Sequence, residues 1–245
     1  MIKNRYNSAV GLVKWSLIRH KFYIPAFVIV QLLLSVSVIY GFSFITNAVD
    51  DLSRTFLCTG AITMNVIAVT CVLSPQVVNE AKQNGVLAYQ KTLPISRFGI
   101  IMSDLLVWGV ISLPGICVSI IVGTISFNMA VQLNIDSYLS LILIIAALTF
   151  FGFSIAYLFS PNVMTLITQV VMIGGLLFSP IVYPADRLPL WMAYVYNCLP
   201  FVPASNIIRY SLFGLDNFNI INYLVISFWG FISLLASMYV LTKRK

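Results

Sequence analysis

The sequence predicts an all-helical polytopic membrane protein that crosses the bilayer six times with both ends in the cytoplasm. Three observations carry that expectation. The 245 residues are 60% hydrophobic and only 9% charged, where a soluble domain is about 45–50% apolar and about 25% charged. The sparse charges leave uncharged intervals long enough for membrane helices, which need about 20 apolar residues each. Finally, 11 of the 14 Lys and Arg residues fall in three clusters that a single orientation places on one face, and cytoplasmic loops hold such an excess. A mean hydropathy of +0.98 exceeds what a soluble fold of this size can hide, and the same numbers exclude disorder. Four dispersed cysteines do not read as a disulfide framework.

The chain starts with a basic, periodic stretch, residues 1–21. Ile2, Tyr6, Val10, Val13 and Leu17 recur every three or four residues, opposed by Lys3, Asn7 and Lys14. This suits an amphipathic helix in the membrane interface, with Trp15 at headgroup depth. A plain basic leader that only fixes orientation is the alternative. The apolar run that follows is too long for a signal-peptide core, so no cleavage is expected.

The spans follow from the charge-free intervals. Phe22–Val49 holds 28 uncharged residues, Thr55–Asn79 25, Leu105–Ile135 31 and Asn217–Thr242 26. The interval Ser137–Ala185 holds 49, enough for two crossings, with Ser160-Pro161-Asn162 as the turn between them. The predicted helices are therefore Phe22–Thr46, Thr55–Leu73, Gly99–Phe127, Tyr138–Phe159, Val163–Tyr183 and Ile220–Thr242. Leu188–Ile208 is also uncharged, but it contains Pro189, Pro200 and Pro203, and proline disrupts helix interiors. A seventh crossing there would also carry Lys243-Arg244-Lys245 outside. Segment 184–208 is thus expected to form a re-entrant or interfacial hairpin on the outer face, covered by protein or lining a wet cavity. The whole chain, 1–245, reads as one transmembrane domain, with a cytosolic loop at 75–98 and an outer hairpin and loop at 184–219.

The cytosolic loop is the informative one. Glu80 to Arg97 contains a short helical piece, a break at Gly85, apolar Val86, Leu87, Tyr89 and Leu93, and a stop at Pro94; Ser96 suits the N-cap of the next helix. An apolar face on a short cytosolic helix fits a groove in a partner or the protein's own helix ends, and the residues leave both open. The spacing of Glu80, Gly85, Val86-Leu87, Thr92 and Pro94-Ile95-Ser96-Arg97 resembles the coupling-helix segment of type-2 ABC transporter permeases. A second stretch, Phe178-Ser179-Pro180-Ile181-Val182-Tyr183-Pro184 with Leu188-Pro189-Leu190-Trp191 and Asn197-Cys198-Leu199-Pro200, is similar to that family's fifth-helix end and outer hairpin. Asp104, where the family often has a basic residue, and Pro180, where small residues are common, depart from the pattern.

The resemblance implies a permease subunit of an ATP-driven exporter in the plasma membrane. It implies an ATPase-docking surface at Glu80, Gly85, Val86, Leu87, Tyr89, Lys91 and Arg97, and an outer gate at Pro180, Tyr183, Pro184, Leu188, Pro189 and Trp191. It also implies a second permease chain, identical or homologous. The phosphate-binding loop Gly-x-x-x-x-Gly-Lys-Ser/Thr is absent from the sequence. ATP and magnesium are therefore expected on a separate subunit, with no cofactor on this chain.

Chemistry of other kinds is poorly supplied. His20 is the single histidine, and a metal site needs several ligands; Asp50-Asp51 read as solvated. No enzyme is expected, and nothing suggests nucleic acid as a partner. Span interiors lack the buried ionisable groups of ion-driven carriers. The nearest, Asp104, is expected to pair with Arg97 seven residues earlier or to relay motion from the loop. Gly115, Ser119 and Gly123 form a small-residue face that suits an intrachain contact or a dimer seam. Neutral polar residues, chiefly Gln31, Asn65 and Gln169, either glue helices together or line a path for an amphipathic peptide, drug or lipid-like cargo. An immunity protein against an antimicrobial peptide and an ATP-independent carrier or channel stand as alternatives.

Overall fold

A computed structural model describes residues 11, 13–18, 21, 23–46, 50–92, 96–215 and 217–242. Among these residues the fold is helical and contains no strand. Helix α1 comprises Tyr23–Val36, a π-helical turn at Ser37–Gly41, and Phe42–Thr46. Helix α2 runs through Asp51–Ile67, a π-helical Ala68–Leu73 and Ser74–Gln83. There follow α3 (Val86–Thr92), α4 (Arg97–Phe127), α5 (Ile135–Leu158) and α6 (Pro161–Leu177). The last three are α7 (Leu190–Cys198), α8 (Phe201–Phe213) and α9 (Ile220–Thr242).

Among the described residues, five helices are long and apolar enough to cross a membrane: α1, α2, α4, α5 and α9. Helix α6 is apolar but has 17 residues, about 26 Å at 1.5 Å per residue, the short end of what spans a bilayer. It was expected to reach Tyr183; it stops at Leu177 because Pro180 cannot continue the ladder and restricts the residue before it. It starts at Pro161, two residues before the expected Val163, because Ser160 takes the N-cap and Pro161 suits the first helical position.

Helix α2 continues ten residues past the expected Leu73. Pro75 does not end it, because the π-helical turn just before it accommodates the missing N–H. The Ser74 hydroxyl donates to the Thr70 carbonyl at 3.0 Å. The same turn receives α5 in close contact: a Cβ at Gly152 would overlap the Thr70 carbonyl oxygen. Helices α4 and α5 begin at Arg97 and Ile135 rather than Gly99 and Tyr138, since a charge in the first turn does not exclude helix and Asp136 favours that end.

Helix α2 is the axis. Helices α1 and α4 pack along one side of it, and α5, itself joined along its length to α9, along another. Two apolar clusters fill the interior. One, at the α3 end, gathers Phe27, Ile101, Trp108, Phe153 and Leu241. The other, at the opposite end, gathers Ile62, Met64, Ile144, Leu148, Ile181 and Ile208. The prolines of 184–208 start helices instead of interrupting one: Pro189 is the N-cap of α7 and Pro200 that of α8. Neither α7 nor α8 is long enough to cross, so no single straight helix occupies this segment.

Candidate coupling site and polar seam

Helix α3 hangs from the end of α2 by the turn Asn84-Gly85. Gly85 has φ +74°, a left-handed conformation that glycine adopts without steric penalty. The short helix divides its apolar residues between two directions. Val86 and Leu87 are half-buried, and Leu87 packs against the chain's own apolar cluster. Tyr89 points away and is 60% exposed. Of the two arrangements that the sequence leaves open, Leu87 takes the contact with the protein's own helices, because it lies on the side of α3 that meets the bundle. Behind α3, the buried Gln90 accepts at its carbonyl from Arg97 Nη1 at 3.3 Å. Ser96 caps α4 as expected, accepting from the Gly99 N–H at 3.1 Å. The exposed Glu80 carboxylate accepts from the Tyr23 hydroxyl at 3.2 and 3.3 Å. The Lys91 side chain, Leu93, Pro94 and Ile95 lie outside the described residues, as do Ile2, Tyr6, Val10 and His20.

Lys82 has a role that its sequence context does not announce. Its Nζ donates to the carbonyls of Ala156, Tyr157 and Phe159 at 3.4, 3.2 and 3.4 Å. These are the terminal carbonyls of α5, which lack helical partners and carry the negative end of the helix dipole. The base of α3 is thereby tied to α5. Asp104, buried in α4, accepts from the Ser16 hydroxyl at 2.9 Å, so it links α4 to the helical segment 13–18. Val13 of that segment also packs on the α3-end cluster.

In mid-bundle the neutral polar residues converge. The Gln31 amide nitrogen donates to the Ile111 carbonyl at 3.0 Å, and the Gly115 N–H donates to its oxygen at 2.8 Å. Residues 111 and 115 are the pair that an α-helix ordinarily joins directly, so Gln31 bridges α4 beside Pro114. Asn65 donates to the hydroxyls of Ser35 and Ser119, each at 2.9 Å, and those two lie 3.0 Å apart. Glycine is required at 115 because a Cβ would overlap the Gln31 amide oxygen. Gly123 abuts Cys58 in the same way. The small-residue face of α4 is thus an intrachain seam with α1 and α2, and Gln31 and Asn65, fully buried, belong to it. Gln169 is not brought to them; it is exposed on α6. Replacing Gln31 with Leu is expected to cost about 1–2 kcal/mol of stability, read as a lower thermal midpoint in detergent. An unchanged midpoint would show that the seam does not hold the bundle.

At the opposite end, Ile181 and Val182 turn back against Gly60 of α2, burying Pro180 with them. Tyr183 and Pro184 are half-buried, and the Tyr183 hydroxyl donates to the Leu177 carbonyl at 3.2 Å. Burial, then the neighbouring Tyr196, push this phenol above its ordinary pKa. Leu188 is half-buried, Pro189 is exposed and Trp191 is 68% exposed. Arg209, expected on an outer loop, is instead buried in α8. It donates to Ser205 at 3.0 Å and to the Ile181 carbonyl at 3.4 Å, and its guanidinium lies 3.7 Å from the centre of the Phe56 ring. An arginine next to hydrophobic helix residues gives no sequence signal of such burial.

No curated protein matches this chain. The family model described as ABC-2 type transporter matches residues 13–213, a range that includes α1 to α8. This integral membrane protein belongs to the ABC-2 type transporter family, whose members are permease components that generally pair with an ABC ATPase subunit.

Proposed function

We propose that this chain is the membrane subunit of an ATP-driven exporter of the plasma membrane, docking through α3 onto an ATPase carried on another polypeptide. The observation that carries the reading is α3 itself: a short helix presenting Tyr89 outward from the end of the 33-residue lever formed by α2. Glu80, Gly85, Val86, Lys91 and Arg97 complete the docking region, with Leu87 anchoring it from within. The six apolar helices, α1, α2, α4, α5, α6 and α9, cross the membrane with both ends inside, which puts 11 of 14 basic residues in the cytoplasm. The α7–α8 hairpin then lies re-entrant at the outer face. A second permease chain completes the assembly, and the ATPase binds the ATP and magnesium.

The mechanism follows from the connections. ATPase closure pushes α3; the turn at Gly85 passes the push to α2, and Lys82 passes it to α5 and so to α9. Two bundle arrangements with different affinity for the closed ATPase are sufficient to couple nucleotide state to access. Pro180, Tyr183, Pro184, Leu188, Pro189 and Trp191 would gate the outer end, and an amphipathic cargo would leave past them.

The test is purification of the tagged chain from its native membrane. Recovery of a nucleotide-hydrolysing subunit, together with cytoplasmic accessibility of tags at both ends, is the expected result. A solitary chain, or tags on opposite faces, would overturn the reading.

A further inference from the structure

Helix α8 is fastened at its C-terminal end. The Ser211 and Leu212 carbonyls accept from the Ser137 hydroxyl at 2.6 Å and from the Gln132 N–H at 2.7 Å, which ties α8 to the start of α5. Gly214, at φ +63°, closes the helix in a left-handed cap. From this fixed frame the buried Arg209 reaches two other parts of the molecule. Its Nη1 donates to Asn206 at 2.9 Å, within α8. Its Nη2 donates to Ser205 at 3.0 Å and to the Ile181 carbonyl at 3.4 Å. The Ser205 hydroxyl donates to that same carbonyl at 3.5 Å.

The guanidinium carbon lies over the Phe56 ring, 3.7 Å from its centre. Phe56 and Gly60 are four residues apart in α2 and so share one face. Gly60 receives the neighbouring turn of the same segment: a Cβ there would stand 3.2 Å from the Ile181 carbonyl oxygen and 3.1 Å from the Val182 Cα. Ile181 is thus held between α2 and the guanidinium. A buried charge is costly unless its donors are answered, and arginine answers in two directions, with donors in its plane and an aromatic ring against its face. Both sets of contacts exist together only while α2, α8 and residues 181–182 keep these positions.

We infer that Arg209 is the positioning residue through which α2 controls the segment 180–184, holding it closed while Phe56 lies under the guanidinium. This rests on the proposed outer gate and names the link between that gate and the α2 lever. Attraction between a cation and a ring extends to about 6 Å, so a shift of α2 by about 2–3 Å takes Phe56 out of reach. The same shift carries Gly60 away from Ile181 and Val182. Arg209 stays with α8, and the segment loses its seat on α2. A lysine could keep the charge near the ring but not the planar fork that spans Ser205, Asn206 and Ile181.

The test places a cysteine at Val182, which is buried against Gly60, and follows its labelling by a polar maleimide. The complex with its ATPase is used in lipid nanodiscs, with the exposed Cys117 and Cys198 changed to serine. With Arg209 present, a non-hydrolysable ATP analogue should speed labelling about tenfold, the weight of one desolvated ring contact. Arg209→Met and Phe56→Leu should each label fast with or without the analogue. Their double variant should label no faster than either, because both remove the same contact. Arg209→Lys should restore part of the nucleotide dependence. A merely structural role would lower the thermal midpoint and leave the tenfold ratio intact, and that result would overturn the inference. Phe56→Leu leaves the hydrogen bonds of Arg209 in place and gives the reading alone should Arg209→Met fail to fold. Labelling that ignores nucleotide in the Val182 reporter with Arg209 and Phe56 intact would also overturn it. Recovery of the ATPase with the chain is scored separately, so the permease reading and this one fail independently.

Discussion

Adding one methyl group at Gly152 is expected to destabilise the fold by about 2 kcal/mol. The Cβ of Gly152→Ala would overlap the Thr70 carbonyl oxygen and lie 3.1 Å from the Pro75 ring. Neither neighbour can swing aside: one is backbone and the other is a ring fused to it. Relief requires moving α5 off the π-helical turn of α2, with disruption of the contact that the Cys71 thiol makes to the Leu148 carbonyl at 3.5 Å. Overpacking of a tight interior costs about 1–3 kcal/mol, and a clash with immovable backbone lies at the upper end. The intrinsic helix preference for alanine over glycine, about 1 kcal/mol, works in the opposite direction and is outweighed. Gly174→Ala in α6, where nothing lies within 4 Å, shows that preference alone and should leave stability unchanged or slightly raised. Thermal unfolding and size-exclusion profiles in detergent check both; a Gly152→Ala protein as stable as the parent would mean that α5 does not seat on the Thr70 turn.

Tyr89→Glu is expected to abolish the permease's stimulation of ATP hydrolysis while the chain still inserts and folds. Tyr89 stands 60% exposed on α3, so its replacement falls among surface changes, usually within about 0.5 kcal/mol of neutral. An aromatic anchor at the centre of a docking surface is different, costing about 2 kcal/mol or more when lost, roughly thirtyfold in affinity. Leu87 is the contrasting position. Because it packs on the chain's own cluster, Leu87→Glu should lower both stability and coupling, whereas Tyr89→Glu should lower coupling alone. Stimulated hydrolysis measured on reconstituted complexes, beside thermal midpoints of the permease alone, separates the two. Full stimulation by Tyr89→Glu would remove α3 as the docking element.

The helix ends show where local reasoning stops. Charge-free intervals located every long apolar helix, because a charge in a membrane interior is too costly to be common. They misplaced ends wherever a charge sits within a helix's first turn, as Asp51, Arg97 and Asp136 do. Pro75 and Pro180 look alike in sequence. One is absorbed by a π-helical turn packed under α5, and the other ends α6 so that Ile181 and Val182 can fold onto Gly60.

The sequence by itself determined that this is a helical membrane protein, which intervals form its apolar helices, where the chain breaks at Gly85 ahead of α3, and which helix Ser96 caps. Those properties depend on composition and on residues a few positions apart. Only the tertiary structure decided that Gln31, Ser35, Asn65 and Ser119 close a seam, that Lys82 caps a helix seventy-odd residues away, that Leu87 faces inward, and that Arg209 is buried over Phe56. Each of these joins residues distant along the chain. A neutral polar residue in an apolar helix has the same local signature whether it bonds a neighbour or faces cargo, and packing alone distinguishes the two.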